Sequence, residues 1–495
     1  MIRRLLIANR GEIAVRVART AREMGIETVA VYSDSDAGAF HVGQMPRAVS
    51  LGAGPARDTY LSIPRLLEAA REAGADAVHP GYGFLAENAA FARSVEAAGL
   101  TWVGPPASAM ERMGDKLRSR AKMREAGVPV VPGSNPAART DEELSAEARR
   151  IGFPLLVKAS AGGGGKGMSR VDRPEQLPSA LAEARRLSAA AFGDDTIYLE
   201  KLLVRPRHVE FQIFGDKAGH VLHLFERECS VQRRHQKIVE ETPSPALDQP
   251  LRSRMADAAV EAGRAVGYVG AGTVELLLDE KRNFYFLEMN TRLQVEHPIT
   301  EATLGIDLVR AQLEIAAGAR LPDGWARLSP RGHAIELRLY AEDPVSFLPR
   351  TGEVLEYAEP SGPGVRVDSG IARGSRVGLE FDPLLAKLVS YGPDRNAAIE
   401  RARRALADWV VLGVQTNAPL LSAVLDSEEF VSGRYATDLV SRLPAPAPAE
   451  PPAAAWIAAA RALGQRPARH PAGAAEGPAA GVDPWAEPSG WRVGA

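Results

Sequence analysis

A single cysteine, Cys229, is all that the 495-residue chain contains. One thiol cannot close an intramolecular disulfide, a cysteine-based zinc site is excluded, and the scarcity favours a reducing compartment. Long apolar runs are lacking too. None approaches the roughly 18 residues of a membrane span, and the opening run Leu5-Leu6-Ile7-Ala8, cut by Asn9-Arg10-Gly11, is too short for a secretory signal. A cytoplasmic protein with no membrane partner is expected. Nor does one sign of charge dominate: 60 Lys and Arg stand against 62 Asp and Glu, a formal net charge of -2. Without a global basic field, nucleic acid is not an expected partner, and an anionic substrate such as a nucleotide needs local basic groups. What is present is ordinary for a globular protein, 45% hydrophobic and 25% charged. At roughly 150 residues per domain the length suggests about three domains.

The first segment alternates short apolar runs with amphipathic stretches. Leu5 to Ala8 reads as a buried strand; Ile13, Val17 and Ala21 then share a helical face, with Gly25 as the C-terminal signal. Thr28–Tyr32 is a second strand, helix Pro64–Ala73 leads to Ala77-Val78-His79, and helix Ala89–Ala98 to Thr101-Trp102-Val103-Gly104. This βαβ rhythm predicts an open, mostly parallel sheet over 1–110. A helix over Asp115–Ala126 follows, then strands at Leu155–Lys158, Ile197–Glu200, His208–Ile213, Val221–Leu224, Gly272–Glu275 and Phe284–Met289. The segment 111–325 is therefore α+β. A third segment, 326–443, carries strands His333–Tyr340 and Leu384–Ser390 and the helix Asn396–Trp409. From Leu443 the Pro-Ala repeat is a stiff linker, and 444–495 is an expected tail with at most a short helix over Ala454–Leu463.

Several clusters carry chemistry. Gly162 to Gly165, ahead of Lys166-Gly167, allow positive φ and let successive N–H groups close over phosphates. The stretch is not a Walker A loop, because Gly167 stands where Ser or Thr is required; alone it fits a surface hairpin equally well. Lys158, ending the strand that feeds the loop, can reach phosphate oxygens. Lys116 has a plainer reading beside Arg118, Arg120, Lys122 and Arg124. Glu275 with Glu288 and Asn290 offers two carboxylates and an amide oxygen at the ends of two strands, a hard donor set suited to Mg²⁺; an exposed acidic strand edge would look the same. Arg292-Leu293-Gln294-Val295-Glu296-His297-Pro298 adds a guanidinium for a planar oxyanion and a carboxylate able to act as a base, or else is a polar surface turn. The charge-dense run Glu226 to Lys237 reads as a solvated edge strand or loop, or as Gln232, His235 and Lys237 facing a nucleotide and an anion. His235 has no HExxH companion, and Cys229 is a small buried residue rather than a nucleophile.

Together these segments resemble the biotin carboxylase family. Asn9-Arg10-Gly11-Glu12-Ile13-Ala14 and His79-Pro80-Gly81-Tyr82-Gly83-Phe84-Leu85-Ala86-Glu87-Asn88 look like its two N-terminal signatures. The Lys158 strand with its glycines, the block Gln232–Lys237, and the run Glu288–His297 complete a match over roughly 1–445. The resemblance implies an N-terminal doubly wound (pre-ATP-grasp) α/β domain, a central α+β ATP-grasp domain with a Gly-rich lid, and a C-terminal biotin carboxylase domain. It implies ATP, Mg²⁺ or Mn²⁺, and biotin as a carrier-bound substrate. Lys116, Lys158, Gly163, Gly164 and Gly165 would hold the phosphates. Glu200, Lys201 and Leu203 would receive the adenine, and His208, Gln232 and His235 would surround the ribose and phosphates. Glu275, Glu288 and Asn290 would ligate the metal. Lys237, Arg292, Gln294 and Val295 would bind bicarbonate, Glu296 would be the base, and Arg338 would stabilise the biotin enolate. Expected partners are a biotin carboxyl carrier protein and a carboxyltransferase subunit, in a homodimer or larger assembly.

The chain departs from the family pattern at Met45-Pro46-Arg47, at Leu337 and at Pro363, none of them a proposed ATP or bicarbonate ligand. No Ala-Met-Lys-Met-type biotinylation motif is present, so the carrier is expected on another chain. Asp483-Pro484-Trp485 and Gly490-Trp491-Arg492-Val493 look like the region that follows the carboxylase module in long acyl-CoA carboxylase α-subunits, and Gly270-Ala271-Gly272-Thr273 leans towards the methylcrotonyl- or propionyl-type enzymes. Two alternatives are another ATP-grasp ligase, such as a carboxylate–amine ligase, and a nucleotide-binding regulatory subunit. Arg338 and the Arg292–Glu296 block argue against the first, and the intact set of Lys158, Glu275, Glu288, Arg292, Glu296 and Arg338 against the second.

Overall fold

The computed structural model describes residues 2–135, 137–160 and 168–446; the side chains of Lys116, Ala191 and Phe192 are outside that description. The glycines of 162–167, the helix expected over 454–463 and the tail from 447 fall outside the described residues. Among the described residues the longer strands form three sheets, with two further two-stranded pairs.

The first sheet is parallel, in the order β3-β2-β1-β4-β5, with β1 at Arg4–Ile7, β2 at Glu27–Tyr32, β3 at Arg47–Ser50, β4 at Ala77–His79 and β5 at Thr101–Trp102. Leu5, Leu6 and Ile7 are fully buried, as a central parallel strand covered on both faces requires. The helix Gly11–Glu23 buries Ile13, Val17 and Ala21, and Gly25 turns the chain at φ +73°. Sequence reasoning passes over β3, because only one of its four residues is buried and no apolar run marks it. It also overextends β5, which stops at Trp102.

The second sheet is small and antiparallel, β7-β6-β8, from β6 at Leu155–Ala159, β7 at Met168–Val171 and β8 at Ile197–Lys201. The helices Asp141–Ile151 and Leu177–Phe192 close a separate core of Leu144, Leu155, Val157, Leu181 and Leu199 over it. The first of these helices opens with a capping box, Thr140 against Glu143.

The third sheet has eight antiparallel strands. Its members are β9 at Arg207–Gly215, β10 at Val221–Arg233, β11 at Gln236–Thr242, β12 at Gly270–Leu278, β13 at Phe284–Asn290, β14 at His333–Tyr340, and the strands Val365–Ser369 and Leu384–Gly392. The order is β13-β12-β9-β10-β11-β14, then Leu384–Gly392, then Val365–Ser369. One correction follows. The run Glu226–Arg233 is neither an edge strand nor a loop: it is the second half of β10, flanked by β9 and β11, with Glu226 to Ser230 all buried. Moreover, β11 pairs with β14, so one sheet runs continuously from the second segment of the sequence into the third. Leu337, which departs from the family pattern, lies in the core of this sheet opposite Val239 and Leu388. Burying each such side chain stabilises the fold by about 1.5–3 kcal/mol. Among the described residues no helix is long and apolar enough to cross a membrane.

Candidate active site

A cleft of about 700 Å³ opens between the small antiparallel sheet and one face of the large one, and Lys158, Glu200, Lys201, Leu203, His208, Gln232, His235, Glu275 and Glu288 all line it. Strand periodicity explains the convergence. His208, Glu210 and Gln212 alternate along β9 with the core residues Val209, Phe211 and Ile213. Across the sheet Glu288, Glu275, Glu210 and Arg227 stand in register on β13, β12, β9 and β10. Like charges placed directly opposite one another destabilise a sheet. Here a cation relieves them: Lys237 Nζ donates to Glu210 at 2.5 Å, Glu275 at 2.8 Å and Glu296 at 2.7 Å.

On the side facing the small sheet, Lys158 and Arg120 both pair closely with Glu200. Sequence reasoning assigns Arg120 only to a charged helix face; no local signal marks its contact with a residue 80 positions away. The Lys201 ammonium donates to the carbonyls of Gly152 and Phe153 at 3.1 and 2.8 Å. His208 Nε2 lies 3.0 Å from Glu275 Oε2, and its Nδ1 faces the Gln232 amide at 2.7 Å. Burial, the largest single influence, pushes this imidazole down, yet the charge and hydrogen bond of Glu275 together with the charge of Glu210 leave the group above its ordinary value. Arg234 and His235 form a two-residue hairpin turn between β10 and β11, at φ +47° and +68°. Such a turn ordinarily takes Asn-Gly; left-handed backbone at two non-glycine residues costs on the order of 1–3 kcal/mol each and is typical of functional sites.

At the opposite side, Glu296 is fully buried, and Arg338 Nη2 lies 2.8 Å from its Oε2. Burial alone would raise its pKa, but Lys237, Arg338 and Arg227 hold it well below the usual carboxylate range. It is ionised at neutral pH. Arg292 Nη1 donates to Gln294 Oε1 at 2.9 Å, Nη2 to Asn290 Oδ1 at 3.2 Å, and its Nε stands 3.2 Å from Glu87. Val295 offers its carbonyl to Lys387 at 2.8 Å. The Cys229 thiol is buried 4.0 Å from Glu296 and pushed well up by burial, which removes it as a nucleophile.

Glu275 and Glu288 face each other across β12 and β13, and Asn290 Nδ2 donates to Glu275 Oε1 at 2.9 Å. Lys237 and His208 together overcome burial and keep Glu275 ionised. Two carboxylates and an amide oxygen fit a hard divalent cation such as Mg²⁺ or Mn²⁺. Two other ligand-type triplets, His208-Glu210-Glu275 and Glu210-Cys229-Glu296, share Lys237, whose ammonium already supplies their positive charge. Lys116 begins the helix Lys116–Glu125, and its side chain is outside the described residues, as are Gly163, Gly164 and Gly165.

Three family models match along the chain: the biotin carboxylase N-terminal domain over residues 1–110, the ATP-binding domain of the carbamoyl-phosphate synthase L chain over 115–323, and the biotin carboxylase C-terminal domain over 336–442. The biotin carboxylase of Halalkalibacterium halodurans is 48% identical over 441 residues, covering 89% of this chain and 98% of that protein. The α-subunit of the mitochondrial methylcrotonoyl-CoA carboxylase of Oryza sativa is 49% identical over 444 residues, 89% of this chain but 60% of that longer protein. Among solved structures, the biotin carboxylase domain of Hydrogenobacter thermophilus 2-oxoglutarate carboxylase, in complex with MgADP, ADP and bicarbonate, superposes with a TM-score of 0.86 at 44% identity, covering 89% of this chain and 97% of that one. The Campylobacter jejuni biotin carboxylase superposes with a TM-score of 0.87 at 41% identity, covering 89% and 99%. The chain belongs to the biotin carboxylase family and is an ATP-grasp ligase with that family's three-domain architecture.

Proposed function

We propose that the chain carboxylates biotin carried by a separate carrier protein, using ATP and bicarbonate, as the first half-reaction of an acyl-CoA carboxylase acting on acetyl-, propionyl- or methylcrotonyl-CoA. The observation that carries this reading is the Lys237 ammonium shared by Glu210, Glu275 and Glu296 beside Arg338. It joins a cation for an oxyanion, a carboxylate base and a guanidinium within one buried cluster.

Bicarbonate, oriented by Arg292, Gln294, Val295 and Lys237, attacks the γ-phosphorus of ATP. Its proton passes to Glu296, the bond from phosphorus to the bridging oxygen breaks, and ADP and carboxyphosphate result. Glu296 is a weak base at rest because its neighbouring cations favour the ionised form. Bicarbonate drawing Lys237 away would raise its basicity. Lys116, Lys158 and the lid glycines hold the phosphates, Glu200, Lys201 and Leu203 receive the adenine, and His208, Gln232 and His235 surround the ribose and phosphates. Glu275, Glu288 and Asn290 would hold Mg²⁺ (or Mn²⁺), whose charge offsets that of the nucleotide phosphates. Carboxyphosphate then releases CO₂ beside biotin. The phosphate set free takes the ureido proton, Arg338 stabilises the resulting oxyanion, and the ureido nitrogen attacks CO₂. Water excluded by the lid cannot destroy the intermediate. The partners are a biotin carboxyl carrier protein and a carboxyltransferase subunit, in a homodimer or larger assembly. The match to methylcrotonoyl-CoA carboxylase α-subunits supports an acyl-CoA acceptor, although a pyruvate carboxylase chain of Methanothermobacter thermautotrophicus also matches at 47% identity.

The test is ADP release by the purified chain with ATP, Mg²⁺ and bicarbonate, with and without free biotin. Release that requires bicarbonate and rises with biotin is expected; turnover indifferent to biotin overturns the reading. Acyl acceptance is tested by adding the carboxyltransferase and carrier with each acyl-CoA.

A further inference from the structure

Behind Arg338 lie two buried carboxyl groups that the reaction above does not use. Glu240 on β11 and Glu336 on β14 stand directly opposite each other in antiparallel register, at 1% and 0% exposure. Residues in register share a face, as do residues two apart on one strand. Glu240, Glu336 and Arg338 therefore point to the same side of the sheet. Arg338 Nη2 is in close ion-pair contact with Glu240 and 2.8 Å from Glu296. Neither carboxyl group makes a hydrogen bond among the described residues; Glu240 has its ion pair with Arg338, and Glu336 has no ion pair there. The other charged groups that face the pair are engaged elsewhere. Lys237 holds its three carboxylates. Lys387, in register with Arg338, donates to the Val295 carbonyl at 2.8 Å and lies 3.4 Å from Glu12, with Asp368 in register beyond it.

An unpaired buried carboxylate is costly, so Glu336 is held neutral: burial pushes its pKa well up. Burial also raises Glu240, to about 7, while Arg338 pulls the other way. This matters when Glu296 accepts a proton, because a neutral Glu296 loses much of its hold on the guanidinium. We propose that Glu240 is the positioning residue for Arg338, anchoring the guanidinium independently of Glu296. This rests on reading Arg338 as the group that stabilises the biotin oxyanion.

The experiment compares biotin-dependent and biotin-independent ADP release at saturating bicarbonate, from pH 6 to 9, in wild type, E240Q, E240D, E336Q and R338K. E240Q is expected to lower the biotin-dependent kcat about tenfold or more, since small misplacements of a reacting group cost up to about 100-fold. Its KM for ATP and its biotin-independent turnover stay within about twofold of wild type, and E240D recovers part of the loss. The sign of the pH effect follows from the ion pair: protonating Glu240 removes the anchor, so wild-type biotin-dependent kcat falls as pH drops below about 7. Glu12, raised to about 7 by burial, titrates in the same window, and the variants assign the limb: E240Q lacks it and E336Q keeps it. His208, raised by Glu275, faces the nucleotide and would alter both turnovers alike. Wild-type kcat in E240Q, equal loss of its biotin-independent turnover, or equal damage from E336Q overturns the proposal. Should E240Q fail to fold, a wild-type acid limb absent from the biotin-dependent kcat, or equally present without biotin, overturns it. R338K separates the two ideas: full biotin-dependent turnover in that variant defeats the reading of Arg338, whereas loss in R338K with none in E240Q defeats only the anchor.

Discussion

Lys237 Nζ lies 2.7 Å from Glu296 Oε1, and the two side chains come from positions 59 residues apart, at the start of β11 and just ahead of the helix His297–Leu304. The pair joins the proposed anion-binding cation, which is partly buried, to the proposed base, which is fully buried. Neither group is independent of the other, because the lysine charge is a leading reason that the carboxylate stays ionised.

Replacing Glu296 with Gln keeps the volume and removes the base. Turnover is expected to fall by about 10²–10⁴-fold, the usual range for positioned acid–base groups. Nucleotide binding should persist, because the lining of the proposed nucleotide cleft is unaltered. Steady-state ADP release and calorimetric titration with ATP check both halves.

Lys237→Met acts on stability as well as turnover. It leaves Glu210, Glu275 and Glu296 facing one another, with Arg227 and Arg338 as the remaining nearby guanidinium partners. Breaking a buried pair in this way typically costs about 3–5 kcal/mol. Denaturant unfolding at neutral pH is expected to show a loss of that order. A stability equal to wild type would mean that the carboxylates are not held together by the ammonium.

Glu241 gives a pH dependence unrelated to catalysis. His333 Nε2 lies 2.6 Å and Arg395 Nε 2.7 Å from its Oε2, and these partners overcome burial and bring its pKa down to about 2. A folded value below the unfolded one means stabilisation that is present above pH ~4.5 and is lost as pH falls towards 2. The contribution at neutral pH is on the order of 3 kcal/mol at 1.36 kcal/mol per unit. Glu241→Gln should therefore be less stable than wild type at pH 7, with the gap closing towards pH 2.5, as measured by unfolding midpoints at both values.

Glu288 is exposed on an edge strand, whereas Glu275, opposite it, is buried. Glu288→Gln is expected to raise the Mg²⁺ concentration needed for half-maximal turnover while changing folding stability by no more than about 0.5 kcal/mol. Chelation of divalent cations should abolish ADP release without unfolding the protein. A metal dependence identical to wild type would remove Glu288 from the donor set.

Chain-local physics was enough to read four of the five strands of the first domain's parallel sheet. Leu5 to Ile7 and the Ile13, Val17, Ala21 face declare themselves by period, and most of the strands of the large sheet show the same alternation. Three residues that line the cleft were legible in the sequence alone: Lys158, Glu275 and Glu288 are polar groups inside or at the ends of apolar strands, where their presence needs a cause, whereas His208 was named only through the family resemblance. Strand β3 was not legible, because a single buried residue leaves no pattern. The burial of Glu226–Ser230 was hidden because charge density suggests solvent, and only partners brought from other strands and from distant helices can offset it. Arg227 shows the reason, fully buried between Glu210, Gln212, Thr273 and Thr300. The sequence by itself determined which strands and helices form and which polar residues interrupt them. Tertiary structure alone decided which charges meet, because register across β13, β12, β9, β10, β11 and β14 places side chains from six strands on one face, and a buried charge is tolerated only where such a partner is supplied.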